Sequence, residues 1–367
     1  MKIAMIGHKR IPSKEGGVEV VVEELSTRLV KLGYDVDVYN RKSKHVSDKS
    51  IKQESIKQYK GIKILNIPTP NNKTLNAIVY SFFATVIAIF KKYDVIHYHA
   101  EGPAVMLIIP HLFRIRTVVT IHGLDWKRSK WGGFATKYLK FGEKIAAKYA
   151  DEVIVLSKNV QDYFRETYGR ETIFIPNGVN KPTIIEPKII KDKYDLEKDD
   201  YILFLARIVP EKGVHYLLEA FKSIDTDKKL VIAGGSSHSE EYFEKIKELA
   251  GKDDRVIMTG FVQGNELEEL FGNCYLYCLP SDIEGMPLSL LEAMSYGCRC
   301  LVSDIEENKE VCENYAETFK KGNIQDLRDK LEKRIKIEKR IGKEEISDYI
   351  LNKYNWDEVV DKTSKCY

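Results

Sequence analysis

The sequence predicts an α/β protein built from two doubly wound domains. Three observations carry that expectation. At 367 residues with 43% hydrophobic content, the chain is long enough for two domains and apolar enough to give each a core. Short apolar runs alternate with amphipathic stretches through both halves, which is the rhythm of parallel sheets with helical crossovers. Several of the runs end in glycine or histidine, at the carboxyl ends of strands where open parallel sheets bind ligands.

In the first half, residues 3–7 read as a strand, 8–17 as a long loop ending in Gly16-Gly17, and 19–32 as a helix stopped by Gly33. Residues 35–39 make the second strand. This opening lacks the G-x-G-x-x-G of dinucleotide binders. Its paired glycine allows a close backbone approach, with a plain tight turn as the alternative. Residues 62–67 form another strand. The apolar run 75–90, which includes Asn76, Tyr80, Ser81 and Thr85, is short for a membrane span and reads as a buried or an interfacial helix. Strands at 94–99 and 117–122 end in His99 and His122, and both histidines are candidate site residues against the alternative of a simple strand cap. The loop 125–131, DWKRSKW, sets Lys127, Arg128 and Lys130 between two tryptophans, so it suits an acceptor, lipid head groups or plain solvent. A strand at 152–156, a helix capped by Ser157 and the segment 173–179 close the first domain, and the polar insert 180–200 reads as a linker.

The second half opens with a strand at 201–206 and continues into Arg207, Lys212 and Gly213 ahead of a helix at 214–221. Two cations at a strand end and helix start suit a diphosphate, whose oxygens accept charge-assisted hydrogen bonds. Strands at 229–235 and 256–262 and a short helix at 266–271 lead to the stretch that organises the chain, residues 279–297, LPSDIEGMPLSLLEAMSYG. The strand Tyr275, Leu276, Tyr277, Cys278, Leu279 stops at Pro280-Ser281. Pro287 then opens a helix that Gly297 closes. The free N–H groups of its first turn point back over Glu284 and Gly285, a ready anion site. Carboxylates at Glu284 and Glu292 suit a ligand that also carries hydroxyls, because they accept hydrogen bonds from sugar O–H groups. A phosphorylated sugar fits both features; a capped surface helix with two solvated acids is the alternative.

Composition narrows the rest. Residues 1–180 carry 29 Lys+Arg against 17 Asp+Glu, and the remainder 29 against 38, within an overall charge of +3. A basic half suggests a membrane surface or a phosphorylated acceptor, or only a basic surface. No basic stripe with interleaved aromatics points to nucleic acid. The six cysteines lack zinc-site spacing. With no export signal ahead of the first strand, reduced thiols and a cytoplasmic location are expected. Asp35-Val36-Asp37 and Asp225-Thr226-Asp227 each spell D-x-D but follow no strand into a site loop, so both are read as surface acids and no metal is expected. No cofactor is expected either.

The Glu284-x7-Glu292 pair inside EGMPLSLLEAM, together with RxxxxKG at Arg207, Lys212 and Gly213, resembles the signature of retaining glycosyltransferases of family 4, which have the GT-B fold of two Rossmann-like domains facing across a cleft. That resemblance covers nearly the whole chain. It implies domains at 1–182 and 183–350, with 351–367 as a terminal helix, signalled by Asn355-Trp356-Asp357, that crosses back to the first. It implies that Glu284 contacts the donor sugar, Glu292 the ribose, and Arg207 and Lys212 the donor diphosphate. Gly16, Gly17, Gly285, Met286, Pro287 and Leu288 would line the donor site, Gly260, Phe261 and Val262 would hold the base, and His122 would lie near the reacting centre. The opening MKIAMIGHKRIPSKEGGVEVVVEELSTRL resembles a branch that builds capsule and other surface polysaccharides, rhamnosyltransferases among them. The expected partners are therefore a nucleotide-sugar donor, UDP- or dTDP-linked, and a saccharide acceptor carried on a lipid diphosphate at an anionic inner membrane face. A sugar-nucleotide epimerase and a non-catalytic partner subunit of the same fold are the alternatives.

Overall fold

A computed structural model of the chain describes residues 1–43, 56–127, 132–237, 239–336 and 342–367. They fall into two compact units. Of the described residues, the first comprises 1–127, 132–177 and Trp356–Tyr367, and the second Gly178–Asn355.

Among the described residues of the first unit, eight strands form one sheet: β1 (Lys2–Ile6), β2 (Asp35–Lys42), β3 (Gln58–Tyr59), β4 (Ile62–Pro68), β5 (Val95–His99), β6 (Arg116–Ile121), β7 (Glu152–Val155) and β8 (Ile173–Phe174). Their order is β3-β4-β2-β1-β5-β6-β7-β8, parallel except where β3 meets β4. In β1, Ala4 and Ile6 enter one apolar cluster and Ile3 and Met5 another. Successive side chains point to opposite faces, so the sheet is covered on both sides, as parallel sheets require.

That double cover corrects one expectation. Asp37 is buried on the same face as Tyr39 and accepts a hydrogen bond from the Tyr93 hydroxyl, which in turn receives one from Tyr39 at 3.1 Å. Only Asp35, at the start of β2, is a surface acid, paired with Lys63 at 2.9 Å. Alternation argues for a solvated face only when one face of the sheet is open, and here none is. Asp225 and Asp227 are exposed as expected.

The second unit's sheet contains β9 (Tyr201–Leu205), β10 (Lys229–Ala233), β11 (Val256–Gly260), β12 (Leu276–Leu279), β13 (Cys300–Ser303) and β14 (Glu317–Phe319). The order is β11-β10-β9-β12-β13-β14, all parallel. Tyr201 and Leu203 join one core, and Ile202 and Phe204 the other.

The segment 180–200 is more than a linker. It contains a helix, Ile189–Tyr194, with Ile190 and Leu196 fully buried in the second unit's core. The carboxylate of Glu269 accepts the backbone N–H groups of Lys188 and Ile190, each at 3.0 Å. Ile190 and Leu196, with Tyr194 packed beside them, dock it. The final helix, Trp356–Ser364, packs on the helix Gly17–Lys31 within the first unit, with Val360 in its core and the Arg28 guanidinium over the Trp356 ring.

Candidate active site

In the second sheet the chain starts at β9, builds outward through β10 and β11, then returns to the other side of β9 with β12. The crevice between the carboxyl ends of β9 and β12 is the switch point where open α/β sheets bind ligands. Every group singled out for the donor in this half follows the end of one of these strands or of β11.

Backbone hydrogen bonds from Ala206 to Ala233 (3.1 Å) and from Ile208 to Gly235 (3.0 Å) hold Arg207 just past β9, where its Nη1 lies 3.5 Å from the Ser237 hydroxyl. Pro210–Lys212 then makes a single tight turn closed by Gly213 at φ +67°. A Cβ on Gly213 would lie 2.0 Å from the Pro280 carbonyl oxygen, so this position presses directly against the segment after β12. The Asp282 N–H donates to the Glu211 carbonyl at 2.9 Å and completes the join.

The result is a close ion pair. Lys212 Nζ lies 2.5 Å from Glu284 Oε1, the Ser281 hydroxyl donates to the same oxygen at 2.7 Å, and the two charged side chains are only 14% and 6% exposed. Gly285 and Pro287 are buried behind them, and Met286 and Leu288 are half-buried against the core. The helix itself runs Leu288–Ser295, so Pro287 is its cap residue and not its first helical one, and the Pro287 carbonyl accepts the Leu290 and Leu291 N–H groups. Glu292 sits on the second turn. The buried Tyr277 hydroxyl, donating to Ser289 at 2.8 Å, has its pKa raised well above the usual value by burial first, with the charges of Cys300, Glu284 and Glu292 adding. At the end of β11, Gly260 accepts the Gly234 N–H at 2.8 Å; Val262 is buried and Phe261 is 50% exposed.

The first unit has its own switch point, between β1 and β5. Gly7, at φ +132°, allows contact there: a Cβ would lie 2.2 Å from the His99 carbonyl oxygen. His99 Nδ1 lies 3.0 Å from His122 Nε2, so the two candidate histidines are joined across adjacent strand ends. His97 stacks on His99 and bridges Thr120 (2.7 Å) and the Tyr367 hydroxyl (2.8 Å). His8 meets Asn40 at 3.0 Å. Burial lowers His97 to about 3, with His122 adding, and lowers His8 to about 4; it pushes His99 well below the ordinary value, with His97, His122 and His8 adding. Gly16 caps the helix that Gly17 begins, and a Cβ on Gly16 would lie 2.1 Å from Glu19 Oε2. Glu19 ties the loop by accepting the Lys9 N–H at 2.9 Å. Burial raises its pKa, but the Lys9 hydrogen bond and charge and the nearby His8 bring it below normal.

Two acids were missed by the sequence reading. Glu143 is buried and accepts hydrogen bonds from Trp126 Nε1 (2.7 Å), Tyr163 (3.0 Å) and Tyr168 (2.9 Å). Glu101, fully buried, accepts the Asp125 N–H at 2.9 Å, and its pKa stands well above normal through burial and then the Asp125 charge. Together they pin the turn that follows His122. The available signal for Glu143 was its place beside Ile145, Ala146 and Ala147 on the helix Gly133–Tyr149, where an acid among buried residues needs donors. Of the basic loop, Arg128, Lys130 and Trp131 lie outside the described residues. All six cysteines are buried free thiols, and no group of three potential ligands among the described residues could hold a metal ion.

Comparison with known proteins agrees with this architecture. The family model "Glycosyl transferases group 1" matches residues 186–353, and "Glycosyltransferase Family 4" matches residues 15–181. Sucrose-phosphate synthase from Thermosynechococcus elongatus superimposes with a TM-score of 0.85 at 20% identity, covering 100% of this chain and 98% of that one. The chain is a GT-B glycosyltransferase. An uncharacterized glycosyltransferase of Methanocaldococcus jannaschii is 28% identical to it over 83% of this chain and 81% of that protein. The UDP-Gal:alpha-D-GlcNAc-diphosphoundecaprenol alpha-1,3-galactosyltransferase of Escherichia coli is 27% identical over 62% of each. In this glycosyltransferase, therefore, the two family models fall one on each unit, and the Lys212–Glu284 pair belongs to the unit matched by the group 1 model.

Proposed function

We propose that this glycosyltransferase moves a hexose from a UDP- or dTDP-linked donor, without a metal and with retention of anomeric configuration, to a saccharide carried on a lipid diphosphate, in the synthesis of a cell-surface polysaccharide such as a capsule. The observation that carries the reading is the meeting of Lys212, Glu284 and the start of the helix Leu288–Ser295 at one switch point. Arg207, Lys212 and the amide-rich turn at Gly285 and Met286 are proposed to take up the charge of the departing nucleoside diphosphate. Glu284 is proposed to hold sugar hydroxyls and Glu292 the ribose, with Gly260, Phe261 and Val262 at the base. Ionised carboxylates beside the sugar also steady a developing oxocarbenium charge. Gly16, Gly17 and His122 are proposed for contacts to the donor and the acceptor hydroxyl, which enters on the face the leaving group vacates. Similarity to a galactosyltransferase whose name specifies a UDP-linked donor and a diphosphoundecaprenol acceptor supports the donor and acceptor classes. A location at the inner membrane face follows from that acceptor.

The test is transfer from a panel of UDP-, dTDP- and GDP-sugars to a polyprenyl-diphosphate-linked N-acetylhexosamine, in buffer with EDTA, with the product's anomeric coupling read by NMR. The expected product keeps the donor's configuration and forms in EDTA. No transfer from any donor, an inverted product, or epimerised donor without transfer would each refute the proposal.

A further inference from the structure

The helix Lys73–Phe90 is inside out. Four of its polar side chains face the protein: Asn76, Tyr80, Ser81 and Thr85 are buried, with Asn76 bonded to Thr69 (2.7 Å), Tyr80 to the Tyr39 carbonyl (2.5 Å) and Thr85 to Tyr98 (2.8 Å). Its opposite face is apolar and open. Leu75, Val79, Phe82, Phe83, Val86 and Phe90 fall on one stripe at helical spacing, and Leu75, Phe82, Phe83 and Phe90 are 50%, 44%, 48% and 82% exposed. No acidic residue interrupts the helix. Lys91 and Lys92, both exposed, follow its end.

Two neighbouring elements continue the pattern. The helix Ile108–Leu112 packs against both Lys73–Phe90 and Gly133–Tyr149, and ends in the exposed Leu112, Phe113 and Arg114. On Gly133–Tyr149, exposed Phe134 and Phe141 share a face with Lys137, Lys144 and Lys148, with Lys140 at its edge, and that helix's one acid, Glu143, is buried.

We propose that this face seats the first unit in the head-group region of an anionic lipid bilayer, with Lys73–Phe90 lying in the plane of the surface. The arrangement of apolar rings with a cationic surround and no exposed acid on either long helix is complementary to acyl chains beneath anionic head groups. The helix does not cross: among the described residues no helix is long and apolar enough to span a membrane, and this one's polar face is bonded to its own unit. The proposal rests on the lipid-linked acceptor proposed above, and names the surface that would bring the enzyme to it.

The test is flotation of the full chain with phosphatidylcholine vesicles and with vesicles containing about 30 mol% phosphatidylglycerol, at low salt and at about 0.5 M salt. Binding is expected only to the anionic vesicles, weakening at high salt. The combined change Phe82→Ser, Phe83→Ser and Phe90→Ser, and separately Lys137→Glu with Lys144→Glu and Lys148→Glu, should each lower partitioning by about tenfold or more. Transfer to a short-chain, water-soluble acceptor should be unchanged in both variants. Wild-type protein that fails to float, or variants that float equally well, would overturn the proposal, as would a stable dimer in lipid-free buffer that the serine changes dissociate. Flotation without transfer would refute the proposed function and leave this surface standing; transfer without flotation would do the reverse.

Discussion

Lys212→Ala, Glu284→Gln and their combination separate a structural ion pair from a working one. The 2.5 Å contact joins side chains that are 14% and 6% exposed, so it is neither dry nor fully screened. Removing only Lys212 leaves the Glu284 carboxylate with the Ser281 hydroxyl as its remaining hydrogen bond of known length, and costs about 2–4 kcal/mol, near the lower end for breaking a buried pair. For a unit of this size that is a fall in Tm of roughly 5–10 °C. The double variant removes the stranded charge, so it should recover most of that loss and show coupling of about 2 kcal/mol. Catalysis should behave differently. On the proposed function, Lys212→Ala withdraws a cation from the leaving diphosphate and should lower kcat/KM for the donor by about 10²–10³-fold, or about 2.7–4 kcal/mol of transition-state stabilisation. The double variant should recover none of it if, as proposed, each side chain also acts on the donor. Calorimetric melting gives the first cycle and continuous nucleoside-diphosphate release the second. Turnover that is unchanged in Lys212→Ala, or that returns with stability in the double variant, would show the pair to be only a brace between two loops.

Other consequences follow from single contacts. Gly213→Ala places a Cβ 2.0 Å from the Pro280 carbonyl in a left-handed conformation, so it should cost at least about 2 kcal/mol by calorimetric melting and weaken nucleoside-diphosphate binding by displacing the segment that carries Glu284. His97 is held neutral in the fold with its pKa lowered to about 3, whereas in the unfolded chain it titrates near the ordinary value of about 6.5. Between those values the unfolded state binds more protons. Stability from this group is therefore complete above about pH 6.5 and falls by about 1.4 kcal/mol per unit as pH drops through the window; urea titrations of His97→Gln at several pH values should show a slope shallower by that amount. Glu143→Gln offers a single acceptor oxygen where Trp126, Tyr163 and Tyr168 all donate, so it should cost about 2–3 kcal/mol and raise the exposure of Trp126, read as a red shift and acrylamide quenching of its fluorescence.

Local punctuation made much of this legible in the sequence. Strand ends at His99, His122, Arg207 and Leu279 were marked by glycine, proline or a change of polarity within a few residues, and the ends of parallel strands share one edge of a sheet. The D-x-D at Asp35 and Asp37 could not be read that way. The burial of Asp37 depends on Tyr93, from a segment 56 residues away, and on a helix covering the second face. The docking of residues 189–194 rested on Ile190 and Leu196, too few for a periodic pattern to register. For residues 75–90 the length of the apolar run points to a buried or an interfacial helix but not to which of its faces is buried. Two of the inward polar residues find partners on strands, Tyr39 for Tyr80 and Tyr98 for Thr85, and a one-dimensional pattern has no access to those pairings.

On the proposed function, Arg207, Lys212 and the turn at Gly285 and Met286 bind one pyrophosphate. Isothermal titration of UDP, with dTDP and GDP as comparisons, into wild type, Arg207→Ala and Lys212→Ala measures that binding. One nucleoside diphosphate should bind at a single site, with each substitution weakening it by tenfold or more. Wild-type affinity in both variants, or no binding of any of the three, would contradict the account.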